Sequence, residues 1–396
     1  MQEMKDRSFV VLGPPLGMSV SGTGWVKHNV MKQLQLAGAK VYSVYFDQTS
    51  ATETIRTVNS LEERTLEPFE IREGCIAKVE SLGNFCDIVN ATDLIAVGDP
   101  DVTWFLPITA AERKLRSYYI YIAEAATVSR FLPVGESRQF LDLKKSFSFY
   151  TKVIPSTSLT RYALEKEIGL HADFISSETL LPPLYKWPVT EEAKWTYREQ
   201  LGLFDERIFL CIANNNVRKR LDQVLLFFKN YLYPRGKVCD RLVIHTDPRD
   251  KNGYEIEAII ARLGIARNTI IVAGRGINDM EGAMSAANYY VSLPAAEGYG
   301  LPVFENLSLG RVCYHTDVGF IGHVEKKWPE KNLCIVEAPH EYFYNIGNQV
   351  WYSTPSRNHM VRRAGSGETA QTPEYTLESL TMSPEQYGAA LVRAVS

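Results

Sequence analysis

No stretch of this chain approaches the roughly 20 consecutive apolar residues that a membrane-spanning helix needs. The opening segment MQEMKDRSFVVLG has charge before a short strand-like run and no long apolar core, so it does not read as a signal peptide. Both absences favour a soluble protein, with peripheral membrane contact left open. The six cysteines (Cys75, Cys86, Cys211, Cys239, Cys313, Cys334) form no C-x-x-C pair. They read as reduced, mostly buried thiols of a cytoplasmic protein. The seven histidines show no metal-ligand spacing. A G-x-S-x-G nucleophile elbow and a Walker A loop are both missing, which removes the commonest hydrolase and nucleotide-triphosphatase readings. Charge of one sign is also scarce. A net charge of −3 leaves no basic footprint for nonspecific nucleic-acid binding, although a local basic groove stays possible. There is no internal repeat.

What is present points to two α/β domains. With 396 residues the chain is too long for one ordinary core, and 45% apolar with 22% charged residues are globular values. The first half opens as strand Phe9–Leu12, a loop Gly13–Gly24 with four glycines, helix Trp25–Leu36 and strand Val41–Phe46. Such a βαβ unit suits a doubly wound parallel sheet. The loop does not match G-x-G-x-x-G, although Asp47 directly follows the second strand, so a dinucleotide domain stays a minor alternative. Apolar strands recur at Leu94–Val97, Tyr118–Ile122 and Lys152–Ile154. Thr179–Lys194 carries three prolines and then turns charged, as an interdomain linker does. Strands Ile208–Ala213, Leu242–Thr246, Thr269–Ala273 and Val312–His315 then alternate with helices Leu221–Tyr231, Tyr254–Leu263 and Met280–Ala287, giving a second parallel sheet. Thr354–Thr372 is polar and reads as a long loop or a disordered stretch, and Ser383–Val395 regains helical periodicity.

The most informative segment is Tyr289–Phe320. A short apolar strand ends at Pro294 and a glycine-rich turn, Glu297-Gly-Tyr-Gly300, follows. A helix then starts with Pro302 in its first turn and stops at Gly310. A helix beginning after such a turn aims unpaired N–H groups and a positive dipole end at whatever fills the loop, which makes an anion site. Two carboxylates, Glu297 and Glu305, lie eight positions apart around it. Beside a phosphate cradle they need another target, and sugar hydroxyls are the plausible one. The ligand this implies has a diphosphate in the middle and polyols at both ends, as a nucleotide sugar does.

A second loop, Asn214-Asn215-Asn216-Val217-Arg218-Lys219-Arg220, joins the first strand and helix of the second half. In open α/β sheets ligands bind outside the carboxyl ends of strands. Three consecutive cations at a helix start oppose its dipole unless an anion compensates, and that local conflict hints at function.

Glu297-Gly-Tyr-Gly-Leu-Pro-Val-Phe-Glu305 resembles the E-x7-E motif of retaining GT-B glycosyltransferases, particularly glycosyltransferase family 4. The resemblance implies a GT-B fold of two Rossmann-like domains with the active site in the cleft between them. An N-terminal acceptor domain, 1–180, would be completed by the helix 383–396, and a donor domain would span 195–370. It implies transfer of a sugar from a UDP- or GDP-sugar to an acceptor hydroxyl of a glycan, lipid or small molecule, with no further cofactor required. Lys219, with Arg218, would hold the donor diphosphate. Glu297 would position the sugar, and Glu305 would grip the ribose. Gly300, Leu301 and Pro302 would line the anion cradle. Gly22 and Gly24 would give the glycine-rich loop after the first strand, Asn214 stands near the place of a missing arginine, and Gly276 lies in the base-binding loop. Glu124 stands where many relatives place a histidine facing the donor sugar.

Three alternatives stay open. Asp99-Pro-Asp101 matches the metal-binding D-x-D of the GT-A class. The chain could bind sugar nucleotides without turning them over. It could also glycosylate modified DNA bases rather than glycans.

Overall fold

The structure, a computed structural model, describes the chain except for residues 1–3, 15–21, 47–53, 60–69, 77–78, 99, 104, 123–130, 134–139, 237–238, 251–252, 274–276, 338–341, 344–350, 353–359 and 366–373. The chain divides into two compact units, Met1–Leu184 with Thr381–Ser396, and Tyr185–Leu380.

The first unit is built on β1 (Ser8–Leu12), β2 (Lys40–Phe46), β3 (Thr54–Asn59), β4 (Glu70–Ile76), β5 (Asp93–Val97), β6 (Arg116–Tyr121) and β7 (Lys152–Pro155). They lie in the order β3-β4-β2-β1-β5-β6-β7, with only β3 antiparallel to its neighbour. Leaving out β3, the parallel strands run third, second, first, fourth, fifth, sixth, the doubly wound order. β1 and β5 are near-continuous apolar runs because both faces are covered, as parallel sheets require. One face packs Leu82, Phe85, Phe105 and Phe147. The other packs helix Gly22–Leu36 and the C-terminal helix Pro384–Val395 through Val26, Val30, Leu34, Tyr387 and Leu391.

That last helix is firmly specified. Ser383 caps it in a reciprocal box with Gln386. At its far end the carbonyl of Val395 accepts from Arg7 Nη1 and from the Tyr118 hydroxyl, both at 2.8 Å. Arg7 is itself held by the fully buried Asp93, with Nε to Oδ2 at 2.9 Å.

The second unit repeats the plan with β8 (Ile208–Ile212), β9 (Arg241–His245), β10 (Thr269–Val272), β11 (Tyr289–Ser292), β12 (Val312–His315), β13 (Leu333–Glu337) and β14 (Met360–Arg363). Their order is β10-β9-β8-β11-β12-β13-β14, again doubly wound with one antiparallel edge, β14. β8 and β11 are the neighbours at which the strand order reverses, with Phe209 beside Tyr289 and Leu210 beside Tyr290. Loops leaving the carboxyl ends of these two strands meet at the switch point, where open α/β sheets bind ligands.

The structure departs from the sequence reading in several places. The first helix starts at Gly22, not Trp25. Helix Leu221–Phe227 passes into a π-turn at Phe228–Leu232, so the run to Tyr231 is not one regular helix. β14 lies inside Thr354–Thr372, where the polar composition indicates loop. Its pairing with β13 is reinforced by Arg362, which reaches the buried Glu325 at 2.8 Å. Among the described residues no helix is long and apolar enough to cross a membrane.

Candidate functional site

The loop after β8 is shaped by its asparagines. Asn215 is fully buried and clamps Tyr254, donating to its carbonyl and accepting from its N–H, both at 2.9 Å. Gly253 is required opposite, because a β-carbon there would run into Asn215. Asn216 caps the single 3-10 turn Val217–Lys219 by accepting from the Lys219 N–H at 3.0 Å. Arg220 then takes a left-handed conformation, φ 49°, which is uncommon for a long side chain, and helix Leu221–Phe227 follows. The backbone carrying Arg218 and Lys219 is therefore fixed on both sides.

The loop after β11 is tied to this turn. The Ala295 N–H donates to the Arg218 carbonyl at 2.8 Å, and Arg218 Nη1 donates to the Ala296 carbonyl at 3.0 Å. Glu297 then receives both cations. Its Oε2 is ion-paired with Lys219 Nζ, and Arg218 Nη1 stands 3.8 Å from its Oε1. The Glu297 side chain is only 12% exposed. Burial disfavours its ionised form, but Lys219 and Arg218 together outweigh that and hold the carboxyl below its usual range. Gly298 adds an N–H at 3.2 Å. Gly319 leaves room for the Glu297 carbonyl, since a β-carbon at 319 would overlap it, and its φ of 62° suits glycine.

Gly300 (φ 87°) opens helix Leu301–Ser308, with Pro302 in its first turn. The helix ends at Gly310, φ 74°, whose N–H and that of Arg311 cap the carbonyls of Leu307 and Asn306. Glu305 is the fifth residue of the helix and is buried. Its Oε2 accepts from the Trp187 indole N–H at 2.9 Å.

His315 closes β12, in register with Ser292 of β11, the strand whose outgoing loop carries Glu297. It is fully buried, and its Nδ1 contacts the Thr316 carbonyl at 2.5 Å. A carbonyl only accepts, so Nδ1 carries the hydrogen and Nε2 keeps a lone pair. Among the described residues that Nε2 has no hydrogen-bond partner. Burial pulls the ring's pKa down to about 4. The Glu297 charge and the Thr316 contact act in the opposite direction, and Lys219 adds to the fall. The imidazole is neutral at physiological pH.

Of the residues expected from sequence, Glu297, Lys219 and Arg218 converge, and Gly300, Leu301 and Pro302 adjoin them as the turn and first helical residues. Asn214 lies in the same loop, where its carbonyl accepts from the Asn216 N–H at 2.9 Å. Gly22 and Gly24 lie in the first turn of the helix after β1. Glu124, Gly276 and Asp99 lie outside the described residues. Among the described residues no group of three or more His, Cys, Asp or Glu could hold a metal ion. Sequence reasoning passed over His315, because the histidines were weighed only for metal spacing. Its one signal is a polar ring ending a buried strand. Trp187, in the proline-rich linker, gave none.

No protein-family model and no curated protein sequence matches the chain. Solved structures do. Sucrose-phosphate synthase from Thermosynechococcus elongatus aligns with a TM-score of 0.60 at 14% identity, over 81% of this chain and 84% of that one. HepE from Anabaena, in complex with UDP and glucose, gives 0.60 at 13%, over 80% and 83%. UDP-GlcNAc 2-epimerase from Methanocaldococcus jannaschii gives 0.51 at 12%, over 81% and 86%. The fold is thus α/β of the GT-B type, with two Rossmann-like units.

Proposed function

We propose that this chain is a retaining glycosyltransferase related to glycosyltransferase family 4, moving a sugar from a nucleotide-diphosphate donor to an acceptor hydroxyl on a glycan, lipid or small molecule. The observation that carries the reading is the convergence of Lys219, Arg218 and Glu297 beside the start of helix Leu301–Ser308, at the switch point of the second sheet. Two cations and a helix N-terminus answer a diphosphate, and a carboxylate among them answers a polyol.

In the reaction, the bond from the anomeric carbon to the diphosphate oxygen breaks as the acceptor oxygen bonds to that carbon, and the acceptor's hydroxyl proton passes to the departing phosphate oxygen. The nucleoside diphosphate leaves with the electron pair. Charge grows on the diphosphate, where Lys219 and Arg218 stabilise it in a site fixed in advance. In the resting protein Glu297 pairs with Lys219 and offsets one of the two positive charges, so the incoming anion exchanges places with a carboxylate on Lys219. Glu297, once released, is placed for the sugar. Glu305 takes the ribose, and Gly22, Gly24, Asn214, Gly276 and Glu124 belong to the same reading as backbone or polar contacts to donor and acceptor.

A panel of UDP-, GDP- and ADP-sugars scored by thermal shift tests the site, since ligand binding raises apparent stability by mass action. A donor-consumption assay with mixed acceptors tests the chemistry. A panel without a single shift would refute the reading. A shift without turnover supports a sugar-nucleotide-binding protein instead. One neighbour, the 2-epimerase, favours a second reading in which the sugar is isomerised while still on its nucleotide. Analysis of the nucleotide-bound product separates the two.

A further inference from the structure

We infer that His315 is a further donor-binding residue, whose Nε2 accepts a hydrogen bond from a hydroxyl of the sugar that enters beside Glu297. This rests on the reading of the site as a nucleotide-sugar site and adds a contact to it that selects the sugar.

Four observations lead there. His315 is fully buried, and its Nε2 has no hydrogen-bond partner among the described residues. Buried polar atoms in folded proteins are nearly always paired, so an orphan of this kind calls for an explanation. The Nδ1–H is committed to the Thr316 carbonyl at 2.5 Å, which fixes both the tautomer and the ring orientation. Finally, His315 ends β12 in register with Ser292 of β11, the strand whose outgoing loop carries Glu297, and the charges of Glu297 and Lys219 act on the ring.

The chemistry of the orphan then selects its partner. A neutral imidazole with a free lone pair needs a donor. A phosphate oxygen at neutral pH is an acceptor, so the diphosphate cannot satisfy Nε2, whereas a sugar hydroxyl can. Lys219 could donate, but in the resting protein it is held by Glu297. When the diphosphate draws Lys219 away, the carboxylate is freed and joins the imidazole, whose Nε2 already has no partner among the described residues. Glu297 accepts from one hydroxyl of the sugar and His315 from another. Two fixed acceptors read the arrangement of hydroxyls, as a single carboxylate could not.

The test is calorimetric titration of UDP, GDP and ADP, and of UDP-glucose, GDP-glucose and ADP-glucose, against four proteins: wild type, His315→Phe, His315→Asn and His315→Gln. Phenylalanine fills the space without an acceptor. Asparagine can keep the donor to the Thr316 carbonyl while losing the acceptor at the Nε2 position. Glutamine returns an acceptor there. For the preferred base, the Phe and Asn variants are expected to bind the free diphosphate as wild type does and the sugar conjugate ~10-fold more weakly, the scale of one hydrogen bond. Glutamine is expected to restore most of the loss. Should Phe not fold, as judged by its melting profile, the Asn variant alone decides. Equal losses for diphosphate and conjugate, or no loss in a folded variant, overturn the role of His315 and leave the site reading standing. If wild type binds none of the six probes, both fall together.

Discussion

The indole of Trp187 donates to Glu305 Oε2 at 2.9 Å, across 118 positions of sequence, so the second carboxylate of the E-x7-E pair is engaged by the segment that precedes the second unit's first helix. Trp187 itself packs edge-on against Tyr185, ring centroids 4.6 Å apart. Replacing Glu305 by Leu removes the acceptor from a buried donor, and about 1–3 kcal/mol of stability is expected to go with it. Urea titrations of Glu305→Leu, Trp187→Phe and the double variant measure the coupling. The double variant is expected to lose less than the sum of the singles. Strict additivity would show that the contact contributes nothing. In kinetics, Glu305→Gln is expected to raise the donor KM and spare kcat, because a ribose contact binds ground state and transition state alike.

Gly319 lies where a β-carbon would overlap the Glu297 carbonyl. Gly319→Ala therefore has to move the Glu297 loop or strain its own positive φ, which costs about 1–2 kcal/mol on backbone grounds alone. We expect lowered stability together with weakened donor binding, measured by melting and by titration. A variant as stable as wild type and fully active would mean that the loop tolerates displacement.

Lys219→Ala is expected to lower turnover by roughly 10²–10³, the scale for losing one preorganised charge-stabilising donor. Lys219→Arg should rescue only in part, because a planar guanidinium differs from an ammonium in reach and geometry. Single-turnover assays on both variants report this directly, and unchanged turnover in the Ala variant removes Lys219 from the mechanism.

Chelation is expected to leave turnover largely intact, since Lys219, Arg218 and the helix start already supply positive charge to the diphosphate. Activity measured in EDTA and after adding Mn²⁺ or Mg²⁺ is the check. Loss and recovery would revive the metal reading of Asp99 and Asp101.

His315 gives a pH signature with a definite sign. Its folded pKa, about 4, is below the ordinary value of 6.5. Between those values the unfolded chain takes up a proton that the folded chain refuses, so stability falls as the pH drops through this window and levels off below it. The slope contributed approaches 1.4 kcal/mol per pH unit. Glu297, whose folded pKa is lowered, acts in a separate and more acid window, below the usual carboxylate value. His315→Phe is expected to flatten the pH dependence of chemical denaturation between pH 6.5 and 4. An unchanged slope in that variant would show that the ring is already protonated in the fold.

Most of both sheets was legible because parallel strands buried on both faces are short apolar runs, and those runs alternate with helical periods. β3 and β4 escaped notice because TIRTVN and EIREGCI carry charge and pair at or next to an edge. β14 escaped because it is four residues long inside a polar stretch, and its stability comes from a partner strand and from Arg362 meeting Glu325, neither of which is local. At the site, Glu297 and Lys219 were visible through turn chemistry and an unfavourable run of cations. That they pair with each other was not visible, because 78 residues separate them and only the strand order brings them together. The role of Asn215 was likewise hidden, since its clamp on Tyr254 depends on a neighbouring loop.

The C-terminal helix bears on how the protein is made. The strands of the first unit are made before Pro384–Val395, which shares the cover of one sheet face with helix Gly22–Leu36, and Arg7 and Tyr118 wait for the carbonyl of Val395. During synthesis helix Gly22–Leu36 is the only one of its two covering helices in place while nearly two hundred further residues, the whole second unit, are added. Order of emergence and order of completion are thus inverted. The second unit can finish folding before the first is complete, and a chain cut short before Pro384–Val395 leaves part of the first unit's apolar face exposed.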